Sequence, residues 1–367
     1  MLNITHPTLL LDEALCRQNI QRQVEKAKEE NVAFRPHFKT HQSHEIGRWY
    51  RELGVTKITV SSLQMAAYFA KDGWKDITVA FPVNILEHAL INELAKDIQL
   101  NVLVSDQSVI EPLDELLQHN VGVFIELDTG QQRSGFASDA TESIAQAIQS
   151  INTAKHLHFC GFLAHAGQSY QVHSSTAQLQ GIHEESLEKI KQCAQLFKQK
   201  TEKLVVSIGD TPTFTVATNF SGIDEVRPGN AVFFDLTQHY IGVCTKADIA
   251  VQIACPIVAV YPDREEFIIY GGAIHFSKDR LELPNQTPNY GELATLNYEA
   301  AQKPYKLTQL SQEHGIVKAD KAFCQQLKVG DIASLYPVHS CLSVDTLPYY
   351  VTKKGRVVRK FRFGEMG

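Results

Sequence analysis

The stretch Phe34-Arg-Pro-His-Phe-Lys-Thr-His41 places a lysine directly after a predicted strand, and the rest of the chain is interpreted around it. The apolar residues 32–34 are typical of a short strand. Pro36 ends that strand, because proline disfavours helix at the preceding residue and cannot donate to a sheet ladder. Residues 42–53 then carry apolar side chains at helical spacing, so Lys39 lies in a strand-to-helix loop. We expect this lysine to be partly removed from water, which favours the neutral, nucleophilic amine; an ordinary solvated loop lysine is the alternative.

Strands and helical patterns alternate from residue 32 to residue 227. The predicted strands are 32–36, 57–60, 77–81, 99–104, 121–127, 156–163, 203–208 and 224–227. Several are nearly continuous in apolar residues, which is typical of strands covered on both faces. Eight such strands, separated by segments long enough for right-handed crossovers, favour a (β/α)8 TIM barrel. A doubly wound open sheet is the alternative, because the pattern does not show closure.

A second domain follows the barrel. After residue 245 the pattern changes to short β-rich runs separated by turn residues, which is typical of an antiparallel β domain. A chain of 367 residues is also too long for one ordinary core. We therefore predict a barrel over residues 12–245 and a C-terminal, mostly antiparallel β domain over residues 246–367. The N-terminal strand within residues 1–11 is assigned to the β domain.

Composition excludes several classes of protein. Hydrophobic content of 44% and charged content of 21% are typical of a soluble globular protein, and the net charge of −6 argues against nucleic acid as the main partner. No apolar run reaches the roughly 18 residues of a membrane span. The N-terminus lacks a basic region followed by an apolar run, so we expect no signal peptide. Seven scattered cysteines without a CxxC pair suit reduced thiols in the cytoplasm.

Polar residues follow the predicted strands at their carboxyl ends, where the chemistry of a barrel belongs. Lys39 follows the first strand, Arg133 lies after the fifth, and His165 and Tyr170 follow the sixth. Singly, the arginine could be a surface residue and the histidine a core residue. Their convergence on one rim is harder to explain by packing alone.

The loops after the last two strands suit an anion. Gly209 lets the backbone approach closely, and Thr211 offers a hydroxyl and an N–H ahead of a predicted helix. These loops are the usual phosphate site of a barrel. A plain helix cap at residue 211 and a turn at residues 228–229 are the alternative. The candidate residues of this pair of loops are Gly209, Asp210, Thr211, Arg227, Gly229 and Asn230.

Taken together, these segments resemble the fold-type III pyridoxal-phosphate enzymes, whose barrel is that of alanine racemase. Within that group the chain is similar to the D-serine dehydratase and D-threonine aldolase family. The matching segments are residues 35–41, 128–135, 209–212, 225–230, 311–315 and 337–341. The resemblance implies that Lys39 carries pyridoxal 5′-phosphate as a Schiff base.

The same resemblance assigns the remaining cofactor-binding residues. It implies that Gly209, Asp210 and Thr211 cradle the phosphate, mainly through backbone N–H groups. Arg133 and Arg227 are expected to face the pyridine ring. The other expected cofactor contacts are His165, Tyr170, Gly229 and Asn230.

A metal site is predicted at His339-Ser340-Cys341. If this segment is a strand, His339 and Cys341 point to the same face, and imidazole with thiolate suits Zn²⁺. Two protein ligands leave places for water and substrate. A histidine and a cysteine on a buried strand face are the alternative, but the family resemblance pairs this histidine with a cysteine or an aspartate as the metal site. Zinc is the expected metal, with manganese and magnesium as alternatives.

The predicted activity is that of a pyridoxal-phosphate- and metal-dependent lyase on small β-hydroxy D-amino acids, with D-serine dehydration to pyruvate and ammonia preferred. The first alternative is a D-threonine aldolase. That reaction needs a base where the aldolase pattern has a histidine, and this chain has Gln168 there. A racemase and a non-catalytic cofactor-binding protein are further alternatives. The resemblance also implies a homodimer.

Overall fold

The computed structural model describes residues 2–198, 203–282 and 287–364, and the chain divides into two compact units. One unit contains Gln21–Ala231 and the C-terminal residues from Phe363, and the other combines Met1–Ile20 with Val232–Arg362. The predicted boundaries were residues 12 and 245. The segment after Val232 belongs to the second unit because Ala250 N donates to Phe233 O and Thr237 N donates to Val338 O. Residues 365–367 of the predicted second domain lie outside the described part.

The strands in the described part of the chain are short, and the longest has eleven residues. In chain order they are β1 (Thr8–Leu11), β2 (Ala33–Phe34), β3 (Lys57–Val60), β4 (Asp76–Pro82), β5 (Gln99–Val104), β6 (Val121–Asp128), β7 (Phe136–Ala137), β8 (Leu157–Ala164), β9 (Val205–Ile208), β10 (Glu225–Val226), β11 (Val251–Tyr261), β12 (Glu266–Tyr270), β13 (Gly291–Leu296), β14 (Glu299–Ala300), β15 (Lys306–Leu310), β16 (His314–Lys318), β17 (Ile332–Pro337), β18 (Tyr349–Thr352) and β19 (Val357–Arg359).

The helices alternate with the strands of the first unit and are short in the second. In chain order they are α1 (Glu13–Glu29), α2 (His44–Glu52), α3 (Leu63–Lys71), α4 (His88–Asp97), α5 (Ile110–Leu116), α6 (Thr141–Thr153), α7 (Thr176–Phe197), α8 (Thr211–Val216), α9 (Leu236–Ile241), α10 (Ala273–Phe276), α11 (Lys321–Cys324) and α12 (Ser340–Thr346). In the ranges that the structure describes, no helix has the length and apolarity to cross a membrane.

The first unit is a closed parallel barrel. Its strands follow the order β2-β10-β9-β8-β6-β5-β4-β3, and the short β7 pairs with β6. A parallel bridge between His37 and Thr59 joins the two ends of this order, supported by a bond from Phe38 N to Thr59 O. The predicted TIM barrel is therefore confirmed, and the open sheet is excluded.

Burial explains why these segments form a barrel. Seven of the eight residues of β6 are buried, as expected for a strand covered on both faces. Leu103, Phe124 and Leu163 form a core cluster from three neighbouring strands. Outside the barrel, α3 begins where Ser62 accepts a hydrogen bond from Met65 N and caps the helix.

The second unit is built on an antiparallel sheet. Its order is β12-β16-β15-β13-β17-β11-β1-β18-β19, and an additional pairing of β12 with β11 closes six of the strands into a ring. The N-terminal strand β1 runs antiparallel to β11 and parallel to β18. The predicted mostly antiparallel β domain is confirmed.

Candidate active site

Lys39 lies just beyond β2 at the mouth of the barrel, where its backbone N donates to Nδ1 of His37 over 3.3 Å. Its side chain is exposed. We expected a partly desolvated lysine, and the structure differs, because Lys39 is exposed to solvent. The amine is therefore accessible to a reactant.

Two histidines at this mouth are held neutral. Removal from water, together with the charges of Lys39 and Arg227, keeps the pKa of His37 well below its usual range. Burial and the charges of Lys39 and Arg133 lower the pKa of His165 to about 3. Nδ1 of His165 hydrogen-bonds to the carbonyl oxygen of Gly209. The ring of Tyr170 lies 6.2 Å from that of His165, so the two predicted residues are brought together.

Arg227 is buried inside the barrel rather than at its surface. Its Nε donates to Ser207 Oγ over 2.8 Å, and its Nη2 donates to Ala164 O over 2.6 Å. Burial lowers the pKa of Arg227 to about 10, which leaves the guanidinium charged near neutral pH. Arg133, in contrast, is exposed in the loop after β6, where its charge still reaches His165.

The loops after β9 and β10 meet, as predicted. Asp210 caps α8, because its carboxylate accepts from Thr213 N over 2.7 Å and from Ser169 Oγ over 3.1 Å. Burial raises the pKa of Asp210. Thr211 Oγ1 accepts from Asn230 N over 3.0 Å and from Gly229 N over 3.4 Å. A side chain at Gly229 would place its Cβ 2.9 Å from His37, so this approach requires glycine.

One predicted phosphate contact differs from the structure. The N–H of Gly209 donates to Ala164 O over 3.1 Å, because the parallel ladder between β8 and β9 continues one residue past the strand. That amide is therefore engaged and does not face a ligand. The N–H of Thr211 lies 3.4 Å from Tyr170 Oη, which joins the two loops.

Cationic side chains lie near the two neutral histidines of the site. Besides burial, Lys39 and Arg227 lower the pKa of His37, and Lys39 and Arg133 lower that of His165. Within the described residues, Thr129 Oγ1 and Gln168 Oε1 are buried without a hydrogen-bond partner. Both lie where β6 and β8 end. An anionic ligand with further polar groups would satisfy this arrangement.

The second candidate site lies in the β unit, and its backbone is not the predicted strand. His339 is the N-cap of α12 and Cys341 lies in its first turn. The strand prediction was wrong because β17 ends at Pro337, two residues earlier. The two side chains nevertheless meet through a hydrogen bond between His339 and Cys341. In the described part of the chain, no group of three histidine, cysteine, aspartate or glutamate side chains could hold a metal ion.

Two carboxylates flank this pair. Oδ2 of Asp279 lies 2.8 Å from Nδ1 of His339, and Oδ2 of Asp235 accepts from Ser340 N over 2.9 Å. Burial on its own would lower the pKa of His339, but its hydrogen bonds to Asp279 and Cys341 raise that pKa to about 11. The arrangement holds a histidine and a cysteine side by side, with a carboxylate on the histidine ring.

No role was predicted from the sequence for His37, Ser207, Asp235 or Asp279. His37 had a signal, because it lies two residues before Lys39 in the same motif. The two aspartates had none. They reach residues 105 and 60 positions away in the chain, and only the folded sheet brings those together.

The barrel is closed and parallel, a lysine follows its first strand, and the loops after its last two strands suit an anion. These features define the class of the fold-type III pyridoxal-phosphate enzymes. Residues 11–237 match the family described as alanine racemase, N-terminal domain, and the chain belongs to that family. Residues 250–353 match a serine dehydratase domain. The resemblance inferred from the motifs is confirmed, and the family implies pyridoxal 5′-phosphate as the cofactor.

Similar proteins cover both units. The chain is 29% identical over 363 residues to the D-threo-3-hydroxyaspartate dehydratase of Delftia sp. (strain HT23), over 95% of this chain and 94% of that protein. It is 26% identical over 392 residues to the D-serine dehydratase of Dictyostelium discoideum, over 98% and 96% of the two chains. A solved structure of a D-threo-3-hydroxyaspartate dehydratase, a cysteine-to-alanine variant in the metal-free form, matches with a TM-score of 0.91, 26% identity and 98% coverage of both chains.

Proposed function

We propose that this chain is a pyridoxal-phosphate- and metal-dependent lyase that removes the β-hydroxyl group of small D-amino acids. D-Serine dehydration to pyruvate and ammonia is the preferred reaction. The observation that carries the proposal is that one chain combines an accessible amine among cations, at Lys39, with the His339–Cys341 pair. The dehydratases similar to this chain support the reaction class, because the similarity extends over both units.

The barrel residues fit the cofactor. Pyridoxal phosphate, when bound, would supply the electron sink that stabilises negative charge at the substrate Cα. Lys39 would hold the cofactor through Nζ and would take the Cα proton when its amine is released. The cations Lys39, Arg133 and Arg227 would attract the negatively charged phosphate. His165 is held neutral near these cations, and its hydrogen bond to Gly209 O fixes the orientation of its ring.

The His339–Cys341 pair fits an open metal site. Imidazole and thiolate are ligands that zinc prefers, and a closed structural site would require four protein ligands. The described residues provide two. A zinc ion would supply a Lewis acid for the departing β-hydroxyl. His339 and Cys341 would hold the ion and leave positions for water and substrate.

Aldol cleavage of D-threonine-like substrates is less favoured by the residues of the barrel. That reaction needs a base for the hydroxyl proton. Gln168, at the position of the histidine in the aldolase pattern, donates Nε2 to Thr129 O over 3.4 Å and cannot accept a proton as a base. Elimination needs no such base if a metal takes the hydroxyl group.

Product analysis with three amino acids tests the proposed reaction. The purified chain, loaded with pyridoxal phosphate and zinc, is incubated with D-serine, D-threonine and L-serine, and pyruvate, ammonia, glycine and amino-acid configuration are measured. We expect pyruvate and ammonia from D-serine, and far less from L-serine. Chelation should abolish turnover while changing the melting temperature little, since the metal serves chemistry and not folding. Sedimentation should show a homodimer.

Each other outcome has a defined meaning. Full activity after chelation would overturn the metal role, and unfolding after chelation would make the site structural. Glycine from D-threonine as the main product would replace the dehydratase by the aldolase. Racemised serine without pyruvate would make the chain a racemase, and a bound cofactor without turnover would make it a non-catalytic binding protein.

A further inference from the structure

We propose that Asp279 is the positioning residue for the metal site, holding His339 so that Nε2 faces the ion. This inference rests on the proposed function, because it assumes that His339 and Cys341 hold the metal. Its basis is the distance of 2.8 Å between Asp279 Oδ2 and His339 Nδ1. A carboxylate on one ring nitrogen fixes the tautomer and the ring orientation, and makes the other nitrogen the metal ligand.

The loop that carries Asp279 is fastened to the helix that carries Cys341. Ser343 Oγ on α12 donates to Phe276 O on α10 over 3.2 Å, and Thr346 Oγ1 donates to His275 O over 2.8 Å. Three residues after Phe276, Asp279 N donates to Ser277 Oγ over 3.1 Å. The carboxylate is therefore held at a fixed place relative to α12.

The arginine that follows Asp279 in the chain is engaged elsewhere. Arg280 follows Asp279 in the chain, yet its side chain pairs with Glu282 and lies 3.3 Å from Tyr290 Oη. Oδ2 of Asp279 is therefore paired with Nδ1 of His339.

Asp235 supports the same segment in a different way. Its Oδ2 accepts from both the N–H and the hydroxyl of Ser340, over 2.9 and 3.2 Å, while Oδ1 accepts from Gln238 N over 2.9 Å. It is completely buried. Asp235 therefore fixes the backbone between the two ligands, and Asp279 fixes the ring of one of them.

The test measures metal binding by the full chain, with pyridoxal phosphate bound, independently of turnover. Zinc affinity is obtained by competition with a chelating indicator for the wild type, Asp279→Ala and Asp279→Asn. We expect Asp279→Ala to weaken zinc binding by about 10- to 100-fold, as is typical for loss of an outer carboxylate on a histidine ligand. Asp279→Asn keeps an acceptor oxygen without the charge and should lose less. Asp263→Asn, an exposed carboxylate in the same unit that pairs with Lys321, is the matched control and should bind zinc like the wild type.

A spectroscopic readout separates positioning from a structural role. The cobalt-substituted wild type should show thiolate-to-cobalt absorption, and Asp279→Ala should shift its ligand-field bands because the imidazole is no longer fixed. A melting temperature within a few degrees of the wild type shows that the fold is intact, and Asp279→Asn decides the matter if the alanine variant is less stable.

Wild-type zinc affinity and an unchanged cobalt spectrum in both variants would overturn this inference alone. A wild type that binds no zinc would overturn the metal assignment of the proposed function, and this inference with it.

Discussion

At the scale of single residues, Lys39 is the position on which the proposed chemistry depends. Its exposed amine at the barrel mouth should form a covalent link with pyridoxal phosphate. We expect borohydride reduction of the loaded protein to fix the cofactor on the peptide that contains Lys39, as read by mass spectrometry. Lys39→Ala should bind the cofactor weakly and lose turnover by several orders of magnitude.

Lys57 is the matched control for this labelling. It belongs to the same barrel and is partly exposed, but its ammonium lies 3.4 Å from the buried carboxylate of Glu225. Reduction should leave its peptide unlabelled. A cofactor label on Lys57, or on any lysine other than Lys39, would refute the assignment.

The residue scale also shows where sequence reasoning reaches its limit. Lys39 could be located because a proline-terminated strand places it at a barrel mouth. Its exposure could not be inferred, since that depends on how the loop turns. Asp279 could not be located at all, because its contact with His339 joins positions 60 residues apart without any shared motif.

At the scale of elements, the short helix α8 begins in the loop after β9, which we propose binds the cofactor phosphate. Asp210 caps it with bonds from Thr213 N, Thr213 Oγ1 and Ser169 Oγ. Asp210→Ala should cost about 1 kcal/mol for the cap and about 1–3 kcal/mol for each buried donor left unpaired. We expect pyridoxal-phosphate affinity, measured by absorbance titration, to fall about 10-fold or more, because Thr211 and its neighbours lose their fixed place.

Asp320 offers a control of the same kind in the other unit. It caps α11 by accepting from Phe323 N over 2.9 Å. Asp320→Ala should lower the melting temperature without changing cofactor affinity. Equal losses of cofactor affinity in the two variants would show that the effect of Asp210 is one of general stability.

Elements differ in how well their sequences predict them. The barrel strands are marked by apolar runs between turn residues, and each predicted strand corresponds to one in the structure. The helix α12 is not marked in this way, because its start depends on Asp235, which accepts from Ser340 N 105 positions along the chain. A local pattern contains no information about such a partner.

At the scale of the whole chain, closure of the barrel and the division into units arise from long-range contacts. The bridge between His37 and Thr59 closes the sheet, and no periodicity predicts it. The boundary near residue 232 depends on bonds such as Ala250 N to Phe233 O. Apolar patterns could predict two domains, but they could not place the join.

The barrel as a whole is stabilised by a buried ion network around Arg35, the residue that follows β2. Arg35 donates Nε to Glu225 Oε2 over 2.7 Å and Nη1 to Asp76 Oδ1 over 2.6 Å, and it is buried. Ser207 Oγ also donates to Glu225, over 2.9 Å. These contacts link the segments around β2, β4, β9 and β10 across the barrel. Removing one partner leaves a buried charge without compensation, which costs roughly 3–5 kcal/mol.

The network gives the barrel a specific response to acid. Burial would raise the pKa of Glu225, but the charge of Arg35 and its hydrogen bond hold that pKa below its ordinary value of 4.5. A carboxyl with a depressed pKa in the folded state stabilises the fold above pH 4.5, and this contribution is lost as the pH falls through the folded pKa. We expect Glu225→Gln to lower the unfolding free energy by about 3 kcal/mol at pH 7, and by progressively less below pH 4.5. Urea unfolding at a series of pH values, followed by a probe of the barrel, measures this.

Glu185→Gln removes an exposed partner of Lys189 on α7 and should change stability by less than about 1 kcal/mol at every pH. If Glu225→Gln lost as much stability at pH 4 as at pH 7, the charge of Glu225 would not be what braces the barrel.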